Sequence, residues 1–355
     1  MPLDDARRVI EAAIGARTFP AAAIEIGGSA AAIATEAFGR LTFDADAPAT
    51  SRDTIFDLAS LTKPLATGSC AMELVRSGAL ALDARPADSF DDWRGLERES
   101  VTVRDLLEHA SGLPARLVDQ PPETRREFEH DIATIALEYP PRSRSIYSDL
   151  GFILLGFLLE RVGGAPLAAM FDRIAARIPG VGPHAYLGFE PPVSLRDRCA
   201  PTLPMDVDPR RGRRLAGEVH DNYAAALGGA AGHAGMFGTA AGVGAFARAL
   251  LRTARASGDG DSPFPRALVP LFVTRSAVPG SSRALAWDTM LPTSSCGTRM
   301  SPQAFGHVGY TGTSLWIDPA RDRYFVLLTN RAFGGGTLDE MRTVRRAFHD
   351  ALGDL

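Results

Sequence analysis

The chain has 355 residues, of which 45% are apolar and 23% charged, values typical of a globular protein and not of a disordered one. This length favours two lobes over a single core. A formal net charge of −4 gives no indication of a polyanionic partner, so we expect no nucleic-acid binding.

The first residues and the cysteines predict the compartment. Residues 4–15 have the spacing of an amphipathic helix and lack the apolar stretch of a secretory signal. The longest apolar run, Leu150–Leu159, is too short to cross a bilayer and predicts a buried helix, so we expect no membrane insertion. Three cysteines (Cys70, Cys199 and Cys296) form no disulfide framework, and an odd number is typical of a reducing compartment. We therefore expect a cytoplasmic protein.

The order of the remaining patterns predicts a chain with strands at both ends and helices in the middle. The N-terminal part predicts two strands, a short strand or loop, and a helix: Ala21–Gly27, Ala30–Phe38, Thr54–Leu58 and Ser60–Ser77. The middle has its clearest helices at Val103–Ala110, Asp149–Val162 and Phe237–Thr253. The last part predicts three strands and a helix: Ala304–Gly309, Thr313–Ile317, Tyr324–Asn330 and Leu338–Ala351. This order favours an α/β domain built from residues 1–95 and 281–355, an inserted all-α domain of residues 96–280, and a site in the cleft between them.

The basic residues are 37 arginines and a single lysine, Lys63. Arginine is usually tolerated in place of lysine at exposed positions, but a guanidinium does not give up its proton in proteins. The one retained lysine therefore indicates a place where a titratable amine is needed. Ser60 lies three residues earlier, on the same face of the predicted helix, and a serine hydroxyl needs a neighbouring base to act as a nucleophile. Lys63 can be that base if burial or nearby positive charge lowers its pKa.

Pro64 places this pair in the first turn of the predicted helix, because proline is tolerated where its missing N–H would have had no partner. Ser60 is then at the helix N-terminus, where free N–H groups favour a developing anion.

Five segments, in this order, resemble the class C β-lactamase superfamily, which includes penicillin-binding peptidases and serine esterases. They are Phe56–Lys63 (Phe-Asp-Leu-Ala-Ser-Leu-Thr-Lys), Val103–Pro114, Tyr147-Ser148-Asp149, Gly228–Phe237 and His307-Val308-Gly309. The resemblance covers about residues 20–350 and implies an antiparallel sheet flanked by helices with an inserted helical lobe. It also implies that Ser60 forms an acyl-enzyme without a cofactor.

The resemblance assigns further roles around Ser60 and Lys63. Tyr147 would act as a general base or pass a proton to the leaving group, and the sequence leaves open whether Lys63 or Tyr147 is the base for acylation. The oxyanion hole would consist of the backbone N–H groups of Ser60 and Tyr310, with Gly309 allowing close approach of the substrate.

Two substrate-binding positions depart from the family pattern. Asp149 stands where the family usually has Asn, and a carboxylate there would hold Lys63 protonated or accept a hydrogen bond from the substrate. His307 stands where the family usually has Lys, and a largely neutral imidazole suits carboxylate-bearing substrates such as β-lactams less well, although an arginine from elsewhere could compensate.

His220 and His233 lie in two segments, Gly-Glu-Val-His-Asp and Gly-His-Ala-Gly, that resemble a subgroup of the superfamily linked to peptidoglycan-fragment processing. Their spacing matches no usual zinc motif, and we expect no metal. The other interpretation is that both histidines pack loops around the cleft.

These observations favour a serine hydrolase or acyltransferase that acts on a small ester, amide or muropeptide, either esterase-like or as an amidase of peptidoglycan fragments. The first alternative is a β-lactamase or D-Ala-D-Ala carboxypeptidase, which uses the same chemistry. A second is a binding protein that has lost catalysis, but such a protein would be expected to have lost Ser60, Lys63 or Tyr147. The sequence does not indicate an oligomeric state.

Overall fold

In the computed structural model, which describes residues 1–117, 122–255, 262–353 and 355, the main sheet is built from both ends of the chain. Its six strands are β1 (Ala21–Gly27), β2 (Ala32–Gly39), β6 (Asp288–Thr289), β7 (Phe305–Val308), β8 (Ser314–Asp318) and β9 (Arg323–Thr329). All pairings are antiparallel, in the order β2-β1-β9-β8-β7-β6. The central strands β1 and β9 therefore come from opposite ends of the sequence. The antiparallel sheet expected from the resemblance is confirmed.

A smaller sheet lies beside the site. It contains β3 (Phe56–Asp57), β4 (Leu187–Phe189) and β5 (Met236–Gly238), in the order β3-β5-β4. Phe56 pairs with Gly238 and Asp57 with Phe237, which brings the segment before Ser60 against the Gly-rich segment.

The helices surround the two sheets. They are α1 (Pro2–Gly15), α2 (Ser69–Arg76), α3 (Val103–Leu107), α4 (Arg125–Thr134), α5 (Asp149–Gly163), α6 (Leu167–Ala175), α7 (Asn222–Ala226), α8 (Ala240–Arg255), α9 (Val269–Val273) and α10 (Leu338–Leu352). Short 3₁₀ turns connect them at Ala59–Leu61, Pro86–Asp88, Asp91–Trp93, Leu96–Ser100 and Val193–Arg198. No single helix in the described ranges is long and apolar enough to cross a membrane; α5 and α6 together reach that length and composition, but they meet at a bend of 75°.

The two faces of the main sheet have separate cores because side chains alternate along each strand. Ile24 and Phe325 point to the face covered by α1 and α10, where they join Ile10 and Phe348. Alternate residues of the same strands, such as Val326, point to the opposite face, which is covered by α8. Helix α8 thus packs on the sheet although it comes from the middle of the chain. The domain bounds expected from the sequence stay a prediction.

Two helix predictions differ from the structure. The segment Ser60–Ser77 is not one regular helix but a 3₁₀ turn, a π-helix at Lys63–Gly68 and then α2. A π-helix is often found at functional sites, because the wider turn re-aims side chains. The predicted helix Phe237–Thr253 begins only at Ala240, because Phe237 is in β5, where it pairs across the small sheet.

Helix α8 approaches the sheet most closely at Gly244. A Cβ there would overlap Glu25 Oε1 and lie 2.7 Å from Glu25 Cδ. Glu25 is buried and cannot simply move aside, because it accepts hydrogen bonds from Tyr324 and Arg248.

Gly244→Ala is therefore expected to destabilise the protein by about 1–3 kcal/mol, since an overpacked contact forces the backbone to shift. Gly15→Ala in α1 is the matched control, because nothing lies within 4 Å of its Cβ position. Urea denaturation of both variants measures the free energy of unfolding. Equal stability of the two variants would contradict this account of α8 packing.

Candidate active site

Ser60 lies in the 3₁₀ turn Ala59–Leu61, directly after the small sheet. Ala59 has a φ of 48°, an uncommon conformation for a residue with a side chain that is often found at functional sites. The buried Asp57 carboxylate holds this backbone: its Oδ1 accepts a hydrogen bond from the Ala59 N–H at 2.7 Å, and its Oδ2 accepts one from the His220 N–H at 2.6 Å. One carboxylate thus fixes both the segment before Ser60 and the loop that carries His220.

The hydroxyl of Ser60 has two polar neighbours, as the sequence predicted. Lys63 Nζ donates to Ser60 Oγ at 3.0 Å, and the Tyr147 hydroxyl donates to the same atom at 2.7 Å. Lys63 is fully buried. These three side chains come from two distant parts of the sequence, and Tyr147 reaches the site because it lies two residues before α5.

The Lys63 amine has three hydrogen-bond acceptors, one for each proton of an ammonium group. Besides Ser60 it donates to Asp149 Oδ1 at 2.8 Å and to the His233 carbonyl at 3.1 Å. Burial on its own would lower the pKa of Lys63, but Asp149 and Tyr147 outweigh it and raise that pKa above its usual value. The condition expected from the sequence, a lowered pKa of Lys63, is therefore not met in this resting arrangement. The alternative expectation, that Asp149 holds Lys63 protonated, describes the site.

The other two ionisable side chains next to Lys63 are Asp149, which is ionised, and Tyr147, which is neutral. Burial would raise the pKa of the Asp149 carboxyl, but Lys63 and His233 outweigh it and hold that pKa below its usual value. Burial raises the pKa of Tyr147, and the neighbouring Lys63 opposes this only in part. At neutral pH the resting site therefore contains an ammonium, a carboxylate and a neutral phenol.

Three further charged or polar side chains complete a closed ring around Lys63. Arg116 Nη1 donates to Asp149 Oδ2 at 3.1 Å and to Asp221 Oδ2 at 3.0 Å. Asp221 Oδ1 lies 2.7 Å from His233 Nε2, and the carbonyl of His233 returns to Lys63. Two half-buried carboxylates are thus bridged by one guanidinium, which stacks over the Tyr223 ring at 3.9 Å. The arrangement holds Asp149 in place against Lys63.

The end of β7 meets the Ser60 segment at Gly309. A Cβ at this position would overlap Thr313 Oγ1 and lie 2.5 Å from the Leu58 carbonyl, so only glycine fits. Two threonine hydroxyls stabilise this contact between β7 and the Ser60 segment. Thr313 Oγ1 donates to the Leu58 carbonyl at 2.9 Å, and Thr311 Oγ1 donates to the Asp57 carbonyl at 2.7 Å. Within the described residues, the backbone N–H groups of Ser60 and Tyr310 donate to no protein acceptor. These are the two donors expected to form the oxyanion hole.

His307 lies on β7 with its ring 6.1 Å from that of Tyr147. Its Nδ1 is 2.9 Å from the Val308 carbonyl, which assigns the proton to Nδ1. Its buried Nε2 has no partner among the described residues. Burial, with Arg283 and Lys63 nearby, holds the pKa of His307 well below its usual value, so the imidazole is neutral. Where the family usually has a lysine, this chain therefore has a neutral imidazole, and a fixed positive charge comes from another part of the chain: Arg283 lines the cleft with its Cζ 5.2 Å from the Tyr147 ring centroid.

These residues open onto a cleft of about 430 Å³, a size typical of small-molecule sites. The cleft contains predicted residues and residues that the sequence analysis did not assign to it. The first group is Ser60, Tyr147, Asp149, His220, His233, His307, Gly309 and Tyr310, and the second includes Arg116, Met205, Asp221, Arg283, Leu338 and Arg345. No group of three or more His, Cys, Asp or Glu side chains in the described parts of the chain is arranged to hold a metal ion.

No sequence signal distinguishes Arg116, Arg283 or Arg345 from the other arginines, of which the chain has 37 in all. His220 and His233 did stand out, through their resemblance to the subgroup linked to peptidoglycan fragments and as candidates for packing loops around the cleft. Asp221 was not singled out, and the structure pairs it with His233.

Comparison with known proteins agrees with this geometry. The β-lactamase family matches residues 6–349. A protein of Escherichia coli (strain K12), whose name assigns it provisionally to the D-alanyl-D-alanine carboxypeptidases, is 30% identical over 315 residues, which are 78% of this chain and 69% of that protein. An N-acetylmuramyl-L-alanine amidase of Bacillus subtilis (strain 168) is 31% identical over 303 residues, 78% of this chain and 68% of that protein.

Solved structures show the same fold at lower identity. EstCE1, described as a hydrolase with promiscuous acyltransferase activity, has a TM-score of 0.74 at 22% identity, covering 98% of both chains. A class C β-lactamase from Rhodobacter sphaeroides has a TM-score of 0.77 at 18% identity, covering 99% of both chains. The family match, the relatives and the fold agree: the chain belongs to the β-lactamase family and is a serine hydrolase.

Proposed function

We propose that this hydrolase acts through an acyl-enzyme on Ser60, with Lys63 and Tyr147 as the groups that move protons. The observation that carries the proposal is the hydrogen bonding of Ser60 Oγ to Lys63 Nζ at 3.0 Å and to the Tyr147 hydroxyl at 2.7 Å. A nucleophile within hydrogen-bond reach of a base, which is itself oriented by a third group, is the arrangement that covalent catalysis requires. Asp149 is that third group.

The protonation states suggest a specific path for the protons. Lys63 first passes a proton to Asp149 and becomes neutral. It then takes the proton of Ser60 as Oγ forms a bond to the substrate carbonyl carbon, whose π electrons move to the oxygen. Tyr147 gives its proton to the leaving group as that bond breaks, and Lys63 and Asp149 in turn restore the phenol. The cluster returns to its starting state, and the serine proton has in effect left with the leaving group. Water releases the acyl group by the reverse path.

The substrate we infer is a small ester or amide, with peptidoglycan fragments as the leading class. The amidase and the carboxypeptidase among the relatives carry names that refer to peptidoglycan amides, and the His220 and His233 segments resemble the subgroup linked to such fragments. The volume of the cleft, about 430 Å³, is within the range of sites that bind small molecules. A cytoplasmic location, inferred from the sequence, would suit recycled fragments and stays a prediction.

A β-lactamase or D-Ala-D-Ala carboxypeptidase activity is the second candidate, and the name of the E. coli relative favours it. The neutral His307 weighs against it, because it supplies no fixed charge for a substrate carboxylate. The intact contacts of Ser60 weigh against a binding protein without catalysis.

Ser60→Ala is expected to abolish hydrolysis of a p-nitrophenyl acyl ester, because no other nucleophile replaces the hydroxyl. Lys63→Arg should lower kcat by a factor of about 10² or more, since it keeps the charge but removes the titratable amine. Initial rates of p-nitrophenolate release measure both. Arg346→Lys in α10 is the control for an ordinary arginine–lysine exchange and should retain activity. Wild-type rates in either site variant would overturn the assignment.

In the proposed path the active cluster carries one proton shared by Lys63 and Asp149, so the acidic limb of the pH dependence of kcat/KM should report the protonation of Asp149, whose pKa lies below its usual value. Asp149→Asn removes the group that accepts the Lys63 proton, so activity then requires a neutral Lys63 and the limb should move to higher pH by about two units or more. Arg116→Gln removes a positive charge next to Asp149 Oδ2 and should move the limb in the same direction by a smaller amount. Rates measured from pH 4 to 10 for the three proteins test these shifts. An unchanged limb, or a limb at lower pH, in Asp149→Asn would contradict the proton path.

Three substrates separate the candidate functions for the wild-type protein. We expect turnover of a p-nitrophenyl ester and release of the peptide from a muropeptide, with nitrocefin hydrolysed at least about 10²-fold more slowly because the cleft lacks the usual lysine. Absorbance follows the first and third reactions and mass spectrometry the second. Efficient nitrocefin turnover would instead favour the β-lactamase candidate.

A further inference from the structure

Two arginines next to the oxyanion hole are buried without a carboxylate partner. Arg345, on α10, and Arg331, which follows β9, are 5% and 7% exposed. Neither forms an ion pair with any residue in the described ranges, whereas most arginines near the cleft are paired: Arg116, for example, has two carboxylate partners. A buried cation without a counter-ion is costly, so its position calls for a physical explanation.

The hydrogen bonds of these guanidinium groups go to backbone carbonyls, most of them around Tyr310; the exception is Arg331 Nη1, which donates to the Gly336 carbonyl at 3.0 Å. Arg345 Nη2 donates to the carbonyls of Gly309 at 2.6 Å and Thr313 at 2.9 Å. Arg331 donates from Nε at 3.0 Å and from Nη2 at 2.6 Å to the carbonyl of Tyr310. The two peptide groups on either side of the Tyr310 Cα are therefore each held at their carbonyl oxygen by a positive charge.

The Gly309 carbonyl and the Tyr310 N–H belong to the same peptide group and point in opposite directions. A charged donor on the oxygen polarises the group, which makes its N–H a stronger donor on the other side. It also fixes the plane of the peptide, and therefore the direction in which the Tyr310 N–H points. An oxyanion hole depends on such preorganised donors, because they need no reorganisation when charge develops.

Burial and Arg331 lower the pKa of Arg345 to about 9, so the group still carries its charge at neutral pH. A carboxylate partner would cancel that charge. Without one, the field of the guanidinium reaches the position where the substrate oxygen becomes negative.

We propose that Arg345, supported by Arg331, is a positioning residue of the oxyanion hole, which orients and polarises the Gly309–Tyr310 peptide and supplies uncompensated positive charge to the developing oxyanion. This rests on the proposed acyl-enzyme mechanism at Ser60. This role explains why both arginines are buried without a carboxylate partner among the described residues: their positive charge stabilises the transition state and is not neutralised by another side chain.

The test uses two esters of the same acid and of p-nitrophenol, one an ordinary ester and the other a thionoester in which C=S replaces C=O. Sulfur is a weak hydrogen-bond acceptor, so the thionoester gains little from the oxyanion hole. For Arg345→Met we expect kcat for the ordinary ester to fall by about 10- to 100-fold with KM changed less than about twofold, and kcat for the thionoester to fall at least several-fold less. Arg345→Lys, which keeps the charge but loses the planar fork, should recover part of the loss.

The matched control is Arg346→Met on the same helix, whose guanidinium donates to the carbonyls of Pro292 and Ser294 away from the cleft. It should behave as the wild type with both esters. Stoichiometric burst release of p-nitrophenol counts the folded active sites in each preparation. If Arg345→Met does not fold, Arg345→Lys carries the test, with an intermediate loss confined to the ordinary ester as the expected result.

Equal losses on the two esters, or a loss confined to KM, would overturn the proposal, because a purely structural role has no preference for oxygen over sulfur. Arg345→Met rates equal to those of Arg346→Met would overturn it too. No ester hydrolysis by the wild-type protein would be a failure of the proposed function instead.

Discussion

The buried charge of Lys63 is the constraint on which the rest of the site depends. An ammonium with no exposure to water is stable only if it is paired and fully hydrogen-bonded, and Asp149, Ser60 and the His233 carbonyl supply those acceptors. Asp149 is itself half-buried, and its other oxygen accepts a hydrogen bond from a second cation, Arg116. Each charged side chain that is shielded from water is thus paired with a neighbour of opposite charge, and the ring of contacts closes through Asp221 and His233.

This ring also joins the parts of the molecule that form the cleft. Lys63 belongs to the π-helix after the nucleophile, Asp149 is the first residue of α5, and Asp221 precedes α7. Thr67 adds a further tie, since its hydroxyl donates to the Gly232 carbonyl at 2.6 Å. The same interactions that stabilise the proton-transfer groups therefore fix the helices against one another. These interactions therefore hold the side chains around Ser60 and the helices that carry them in one arrangement.

The opposite wall of the cleft has a different electrostatic character. Around Lys63 the charges are paired, whereas Arg331 and Arg345 have no carboxylate partner among the described residues and donate to backbone carbonyls. The contrast fits the two tasks proposed for the site. A proton-transfer cluster needs balanced charges, so that a proton can move at little cost, while an oxyanion hole needs an excess of positive potential that the substrate alone completes. His307 is neutral, and the fixed positive charge beside Tyr147 on this side is Arg283, whose Cζ lies 5.2 Å from the Tyr147 ring centroid.

The sequence by itself determined the strands at both ends, the pair Ser60 and Lys63, and the segments that carry Tyr147, Asp149 and Gly309. These signals are local: periodicity, a solitary lysine, and short segments that resemble those of a known family. It did not determine the protonation state of Lys63, the start of α8 after β5, or the roles of Arg116 and Arg345. Those depend on which groups are brought together from distant parts of the chain and on how deeply they are buried. Arginine is common in this chain, so only tertiary structure could separate the few that are buried at the site from the many on the surface.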